Sequence, residues 1–269
     1  MTYIAINVDR VAKKSSYEGL KSNELLVYSK FVTIQGEGPF AGKRSLFVRL
    51  AGCNFGDKGA YCQFCDTKFF LDNGKPETFE SILNRVTDAA VDLLVVTGGE
   101  PLLQPNIVKA TEFWLKENKR LTVQFETNGT QVKNIVDLLT MAILYDDRVT
   151  VICSPKASSK AGYVKAAPVS RQTMDAFPKN FFYKFVVTSD SRDPHYLIPF
   201  WATEVANKVF ISPMTIYVRN VKENEIASAW DTTLVNQEAT RANYKRAAHL
   251  AMQNDFTVSI QMHTWLDME

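Results

Sequence analysis

The sequence predicts an α/β fold, with β/α units arranged around a mostly parallel sheet or barrel, and two observations carry that expectation. Short runs rich in β-branched and aromatic residues recur at 46–50, 93–97, 121–126, 150–153, 181–187, 209–212 and 256–261, each near the length of a buried strand. Apolar stripes at helical spacing lie between several of them, and strands that alternate with helices build parallel sheets.

From the N-terminus, 1–23 reads as a polar lead-in, within which 3–8 could pair as an edge strand. After the first main run, Phe79, Ile82, Leu83, Val86 and Ala90 form a helical stripe, and the Thr78 hydroxyl is placed to cap it. Pro105 suits the first turn of a second helix, whose stripe is Ile107, Val108, Thr111, Trp114 and Leu115. A third carries Ile135, Val136, Leu138 and Leu139. A fourth, over 238–252, turns Tyr244, Ala247, Ala248 and Ala251 inward. The segment 157–179, rich in Ser, Lys, Ala and Pro, reads as a long loop with room for a short helix. At 269 residues and 46% hydrophobic, the chain can bury a large core, and a single domain over 1–269 is expected.

Composition narrows the function. The longest apolar runs are far too short to span a membrane, and the first ten residues lack the pattern of a signal peptide, so a cytoplasmic protein is expected. Thirty-one basic against twenty-nine acidic residues gives +2, too balanced to argue for nucleic acid, which favours a small-molecule substrate. Of four cysteines, three crowd together as Cys53-x8-Cys62-x2-Cys65, a metal-binding pattern rather than a disulfide framework. Three thiolates leave one metal position open, where a closed zinc site or an ordinary iron–sulfur centre uses four ligands. The fourth, Cys153, lies in an apolar run and reads as a small buried hydrophobe.

Ligands gather at the carboxyl ends of parallel strands. The first run leads into Cys53. The second ends in Thr97-Gly98-Gly99-Glu100-Pro101, a turn able to hold an ammonium group or simply to reverse the chain. The third ends in Glu126-Thr127-Asn128-Gly129 and the fourth in Ser154-Pro155-Lys156.

This combination resembles the radical S-adenosylmethionine (SAM) superfamily, in which a three-cysteine loop holds a [4Fe–4S] cluster and a glycine-rich turn after the second strand holds the methionine amino group. The usual spacing there is C-x3-C-x2-C; here eight residues, 54–61, separate Cys53 from Cys62. The flanks narrow the resemblance. Gln35-Gly36-Glu37-Gly38, Arg49-Leu50-Ala51-Gly52-Cys53-Asn54, Cys65-Asp66-Thr67 and Ser259-Ile260-Gln261-Met262-His263 are similar to the 7-carboxy-7-deazaguanine synthases, over about 31–269. Lengthened cysteine loops occur in that family.

The resemblance implies an incomplete, modified (β/α) barrel. It implies a lyase that converts 6-carboxy-5,6,7,8-tetrahydropterin to 7-carboxy-7-deazaguanine with loss of ammonia, toward deazapurines such as queuosine. Cys53, Cys62 and Cys65 would hold the cluster, and Phe64, Gly98, Gly99, Glu100, Ser154 and Lys156 would lie against SAM. Thr67 would contact Mg2+, with Asp66 behind it. Arg49 would grip the substrate carboxylate, unless it forms a surface ion pair. Glu126 would accept from the pterin N–H groups, and Gln35, Glu37, Thr97, Gln261 and His263 would complete the pocket. Ser212 stands where the family usually has glutamine, which would shorten a contact there. A flavodoxin- or ferredoxin-type reductant and a homodimer are family expectations. Two alternatives stand beside this reading: an activating enzyme that makes a radical on a partner protein, and a zinc-stabilised module using Cys53, Cys62, Cys65 and His263.

Overall fold

A computed structural model describes residues 17–55, 74–157, 167–217 and 235–266. Among these residues nine strands form one sheet: β1 (Glu24–Ile34), β2 (Arg44–Leu50), β3 (Lys75–Thr78), β4 (Leu93–Gly98), β5 (Thr122–Thr127), β6 (Val149–Cys153), β7 (Phe181–Val187), β8 (Val209–Pro213) and β9 (Thr257–Val258). Their order is β3-β1-β2-β4-β5-β6-β7-β8-β9. From β2 to β9 every neighbour pair is parallel, while β1 runs antiparallel to both β2 and β3.

The helices are α1 (Phe79–Asp88), α2 (Ile107–Glu117), α3 (Val132–Leu144), α4 (Arg171–Ala176), α5 (Gln237–Asn254) and α6 (Met262–Trp265). As expected, the Thr78 hydroxyl caps α1, accepting from the Ser81 N–H at 3.1 Å. Pro105 does not open α2. It lies in the turn before Asn106, and the Asn106 amide is drawn away from the helix, donating to the Lys21 and Glu24 carbonyls. Trp114 is fully buried, and its indole N–H donates to the Phe79 carbonyl at 2.9 Å, fastening α2 to the start of α1. The short helix foreseen inside 157–179 is α4, capped by Ser170.

The period of two along each strand sorts the side chains by face. Leu46, Val48, Leu94, Val96, Val123, Phe125, Val151, Tyr183 and Phe185 enter one core with Ile82, Trp114, Leu138 and Ala247 of the helices. Their strand neighbours, among them Phe47, Arg49, Val95, Thr97, Gln124, Glu126, Phe182, Lys184 and Ser212, face the other way.

That second face is concave. Strands β1 and β8 lie six places apart in the sheet order, which in a flat sheet would separate them by about 29 Å at roughly 4.8 Å per strand. Yet Glu37, just after β1, accepts a hydrogen bond from Ser212 of β8 at 2.5 Å, and the Gly38 N–H reaches the Ser259 hydroxyl at 3.0 Å. The sheet therefore curls until its edges are bridged by side chains. Its edge strands β3 and β9 are not hydrogen-bonded to each other, which makes it an incomplete barrel.

Two departures from the sequence expectation have simple causes. Strand β1 carries Glu24, Tyr28, Ser29, Lys30 and Thr33 among its apolar residues, and its register shifts between Val27 and Ser29, so no clean alternation marks it. The last run, 256–261, yields only Thr257–Val258 as strand. Beyond it Ser259 donates its N–H to the Ile211 carbonyl, and the chain turns into α6. The candidate strand at 3–8 lies outside the described residues. Among those residues no helix is long and apolar enough to cross a membrane.

Candidate active site

Strands β2, β4, β5 and β6 are adjacent and parallel, so the four polar strand ends picked out in the sequence stand side by side. Half-buried Cys53 follows β2. The glycine pair after β4 packs directly on the segment leading to it: Gly99 donates its N–H to the Leu50 carbonyl at 3.1 Å, and Glu100 donates to the Gly52 carbonyl at 2.8 Å. A Cβ on Gly98 would fall 2.1 Å from the Leu50 carbonyl oxygen, and one on Gly99 would fall 2.2 Å from that of Gly52 and 2.9 Å from the Cys53 Cβ. Gly98 also has φ of 125°, which side-chain-bearing residues rarely adopt. These glycines do more than reverse the chain. They let β4 touch the root of the cysteine loop.

Glu100 is fully buried beneath that turn. Its Oε1 accepts from the Leu102 N–H at 3.1 Å and the Thr127 hydroxyl at 2.6 Å, and its Oε2 accepts from the Asn128 N–H at 2.6 Å. Burial raises its pKa, while hydrogen bonds from Thr127, Asn128 and Leu102 oppose the rise. The Asn128 amide donates to Asn54, which in turn donates to Thr130, both at 2.9 Å. A chain of polar contacts thus runs from Glu100 to the residue after Cys53. At the end of β6, the Ser154 N–H donates to the Thr127 carbonyl at 2.7 Å, and the Lys156 ammonium donates to the Ser154 hydroxyl at 2.8 Å.

On the concave face, Arg49 of β2 pairs in register with Thr97 of β4, and Glu126 lies on β5 beyond it. Arg49 is 5% exposed, which removes the surface ion-pair alternative, and its guanidinium lies 5.0 Å from the centroid of the Phe31 ring. Phe31 in turn stacks on Phe47.

A buried ion network crosses the same face. The Lys184 Nζ of β7 donates to Glu37 at 2.9 Å and to Glu126 at 2.7 Å. Gln35 and Gln124 both donate to the other Glu126 oxygen at 3.2 Å, and the Glu37 N–H donates to Gln35 at 3.1 Å. Burial alone would raise the Glu126 pKa, but the Lys184 charge and hydrogen bond outweigh it and lower the value. Burial would lower the Lys184 pKa, and its two carboxylate partners raise it instead. Lys184 and Glu126 thus hold each other in their charged forms.

The structure thus brings Gln35, Glu37, Arg49, Thr97 and Glu126 onto one surface next to Cys53, Gly98, Gly99, Ser154 and Lys156. Gln261 joins from the C-terminal segment, accepting from the Thr215 hydroxyl at 2.7 Å. Cys62, Phe64, Cys65, Asp66 and Thr67 lie outside the described residues, as does the His263 side chain. Cys153 is fully buried in β6, as its apolar surroundings suggested, and burial raises its thiol pKa. Sequence reasoning missed Lys184 and Gln124. A signal existed for the first: a lone cation inside the apolar strand Phe-Phe-Tyr-Lys-Phe-Val-Val. Ser212, expected to make a shortened ligand contact, donates its hydroxyl to Glu37.

Comparison with known proteins agrees with this geometry. The radical SAM superfamily pattern matches residues 48–152, from β2 into β6. A 7-carboxy-7-deazaguanine synthase of Rickettsia prowazekii is 31% identical over 265 residues, covering 96% of this chain and 94% of that one. Another, from Hyperthermus butylicus, is 46% identical over 107 residues, covering 39% of this chain and 43% of that one. Among solved structures, QueE from Escherichia coli shares the fold, with TM-score 0.57 at 20% identity over 88% of this chain and 94% of that one. The chain belongs to the 7-carboxy-7-deazaguanine synthase family of the radical SAM superfamily.

Proposed function

We propose that this chain converts 6-carboxy-5,6,7,8-tetrahydropterin to 7-carboxy-7-deazaguanine with release of ammonia, in deazapurine biosynthesis of the queuosine type. Family membership supplies the reaction class, a radical SAM lyase with a [4Fe–4S] cluster and SAM. The observation that carries the substrate reading is the buried face on which Arg49, Glu37 and Glu126 stand beside Cys53. Arg49 offers a planar fork for a carboxylate. Glu37 and Glu126 offer acceptors for the N–H groups of a pterin edge, with Gln35, Thr97 and Gln261 around them, and the family resemblance assigns His263 to the same pocket.

The residues present fit the implied cofactors. Cys53 begins the three-thiolate loop at the carboxyl end of a parallel strand, and the glycine turn abuts it. The N–H groups of Gly99 and Glu100 are already engaged by the loop, so a ligand held by this turn would be held through acceptors, which suits an ammonium group. Cys53, Cys62 and Cys65 would hold the cluster; Phe64, Gly98, Gly99, Ser154 and Lys156 would lie against SAM, with Glu100 shaping the turn from below. When bound, the cluster and SAM supply a carbon-centred radical able to remove hydrogen from the substrate. The protein's own part is to orient the substrate through charge and to exclude water from the curled sheet. Mg2+ at Thr67, a flavodoxin- or ferredoxin-type reductant, a homodimer, a cytoplasmic setting and one domain over 1–269 belong to the same reading.

The test is anaerobic reconstitution with iron and sulfide, followed by incubation with SAM, reductant and 6-carboxytetrahydropterin. The expected result is a brown protein that forms 7-carboxy-7-deazaguanine and one equivalent of ammonia. SAM cleavage without that product would favour an activating enzyme. A colourless protein holding one zinc would favour the zinc-stabilised module.

A further inference from the structure

We propose that Lys184 is a positioning residue of this site, holding Glu37 and Glu126 at the separation at which both can accept hydrogen bonds from one bound heterocycle. The inference rests on the substrate reading above and assigns a role to a residue that none of the sequence motifs quoted above contains.

Three observations carry it. Lys184 is the one cation that touches both carboxylates among the described residues, and it reaches them from β7 while they come from the end of β1 and from β5. The remaining oxygen of each carboxylate is also anchored, Glu37 by the Ser212 hydroxyl and Glu126 by the Gln35 and Gln124 amides. Neither can therefore swing without breaking a second contact. Finally, the network lies on the concave face with Arg49 and Thr97, not in the helix-side core.

A purely structural cation would only bolt the edges of the sheet together. The charge count argues for more. Two carboxylates share one ammonium, and Arg49, the next cation on this face, is assigned to the substrate carboxylate. Other charged or titratable groups act from further away: Lys156 after β6 on Glu126, and Tyr244 of α5 with Glu37. Without Lys184 the two carboxylates would face each other as like charges, and such a pair takes up a shared proton well above the ordinary carboxylate range. With it, each carboxylate meets a donor on one side and turns its remaining lone pairs to the N–H groups of a ligand.

The experiment uses the cluster-reconstituted chain, measuring KM and kcat for 6-carboxytetrahydropterin between about pH 5 and 8, with thermal unfolding of each variant alongside. The wild-type profile, which includes any titration of His263, is the reference against which a new ionisation is read. Lys184→Met should raise KM about tenfold or more on the acid side of a new ionisation, the scale of one lost charge-assisted hydrogen bond, with a smaller effect on kcat. Lys184→Arg should keep the wild-type pH profile and recover part of the KM. Lys184→Met/Glu126→Gln removes the like-charge pair, so its KM should stay raised while the new ionisation vanishes. This double variant carries the test if Lys184→Met does not fold. A wild-type KM in either Met variant, whatever its melting temperature, overturns the inference and leaves the substrate reading intact. A wild type that cleaves SAM but does not convert the pterin overturns both.

Discussion

Gly99→Ala tests the claim that the glycine turn exists to touch the cysteine loop. The new Cβ would lie 2.2 Å from the Gly52 carbonyl oxygen and 2.9 Å from the Cys53 Cβ, where ordinary contact begins near 3.4 Å. Backbone atoms cannot rotate aside as a side-chain end can, so β4 and the loop must part by about 1 Å. Overpacking of this kind costs about 1–3 kcal/mol of stability. The functional cost should be larger, because a 1 Å misplacement of a reacting group lowers rate by about a hundredfold. Leu138→Ala, a fully buried change on the helix side, gives a comparison of similar or greater stability loss far from Cys53. The assay is iron and sulfide content after anaerobic reconstitution, together with melting temperature and turnover. Gly99→Ala should load less cluster and turn over far more slowly than Leu138→Ala. If it carries a full cluster and wild-type turnover, the contact between turn and loop is incidental.

The other predictions concern groups whose surroundings are equally well defined. Glu100→Gln keeps the shape but sets an amide N–H2 against one of three donors, so urea unfolding should show a loss of about 1–3 kcal/mol. Cys153→Ala should cost about 1 kcal/mol and leave the iron content unchanged, since Cys153 is buried in β6; a loss of iron would make it a ligand. Glu126, raised by burial but lowered overall by Lys184, contributes stability present above the unfolded carboxylate pKa of about 4.3 and lost as pH falls through its depressed folded value. Urea midpoints should therefore drop on that acid limb in the wild type and drop less in Lys184→Met.

The parallel strands and the helices between them were legible because their residues keep one period along their length. Phe181–Val187 has its odd positions in the helix-side core, and α1 repeats Phe79, Ile82 and Val86 on its buried side. Strand β1 was not legible, since it lies between two antiparallel partners with a bulge between Val27 and Ser29, and its polar residues break the pattern. The site was legible as strand ends, because parallel topology places those ends together wherever the helices pack. Lys184 was hidden for a different reason. Its importance comes from Glu37 and Glu126, which are 147 and 58 residues away in sequence, and no local spacing encodes that meeting. The Ser212 contact was hidden for the same reason, its partner Glu37 being 175 residues distant.

The same contacts explain why an incomplete barrel can serve here. Backbone hydrogen bonds close an ordinary barrel and fix its width. In this chain the curl from β1 to β8 is completed by side chains instead, Ser212 and Lys184 on Glu37 and the Ser259 hydroxyl on Gly38. Side-chain closure leaves polar groups on the inside of the curve, where a fully apolar barrel interior would have been filled by packing. Those groups are costly to bury unless each is paired, and here Glu37, Glu126 and Lys184 pair one another. A substrate carrying both a carboxylate and N–H donors can add to that set without leaving any member unpaired. On the proposed substrate reading, closing the fold and reading the ligand are tasks of one network, so substitutions within it should move stability and KM together, whereas substitutions in the helix-side core should move stability alone.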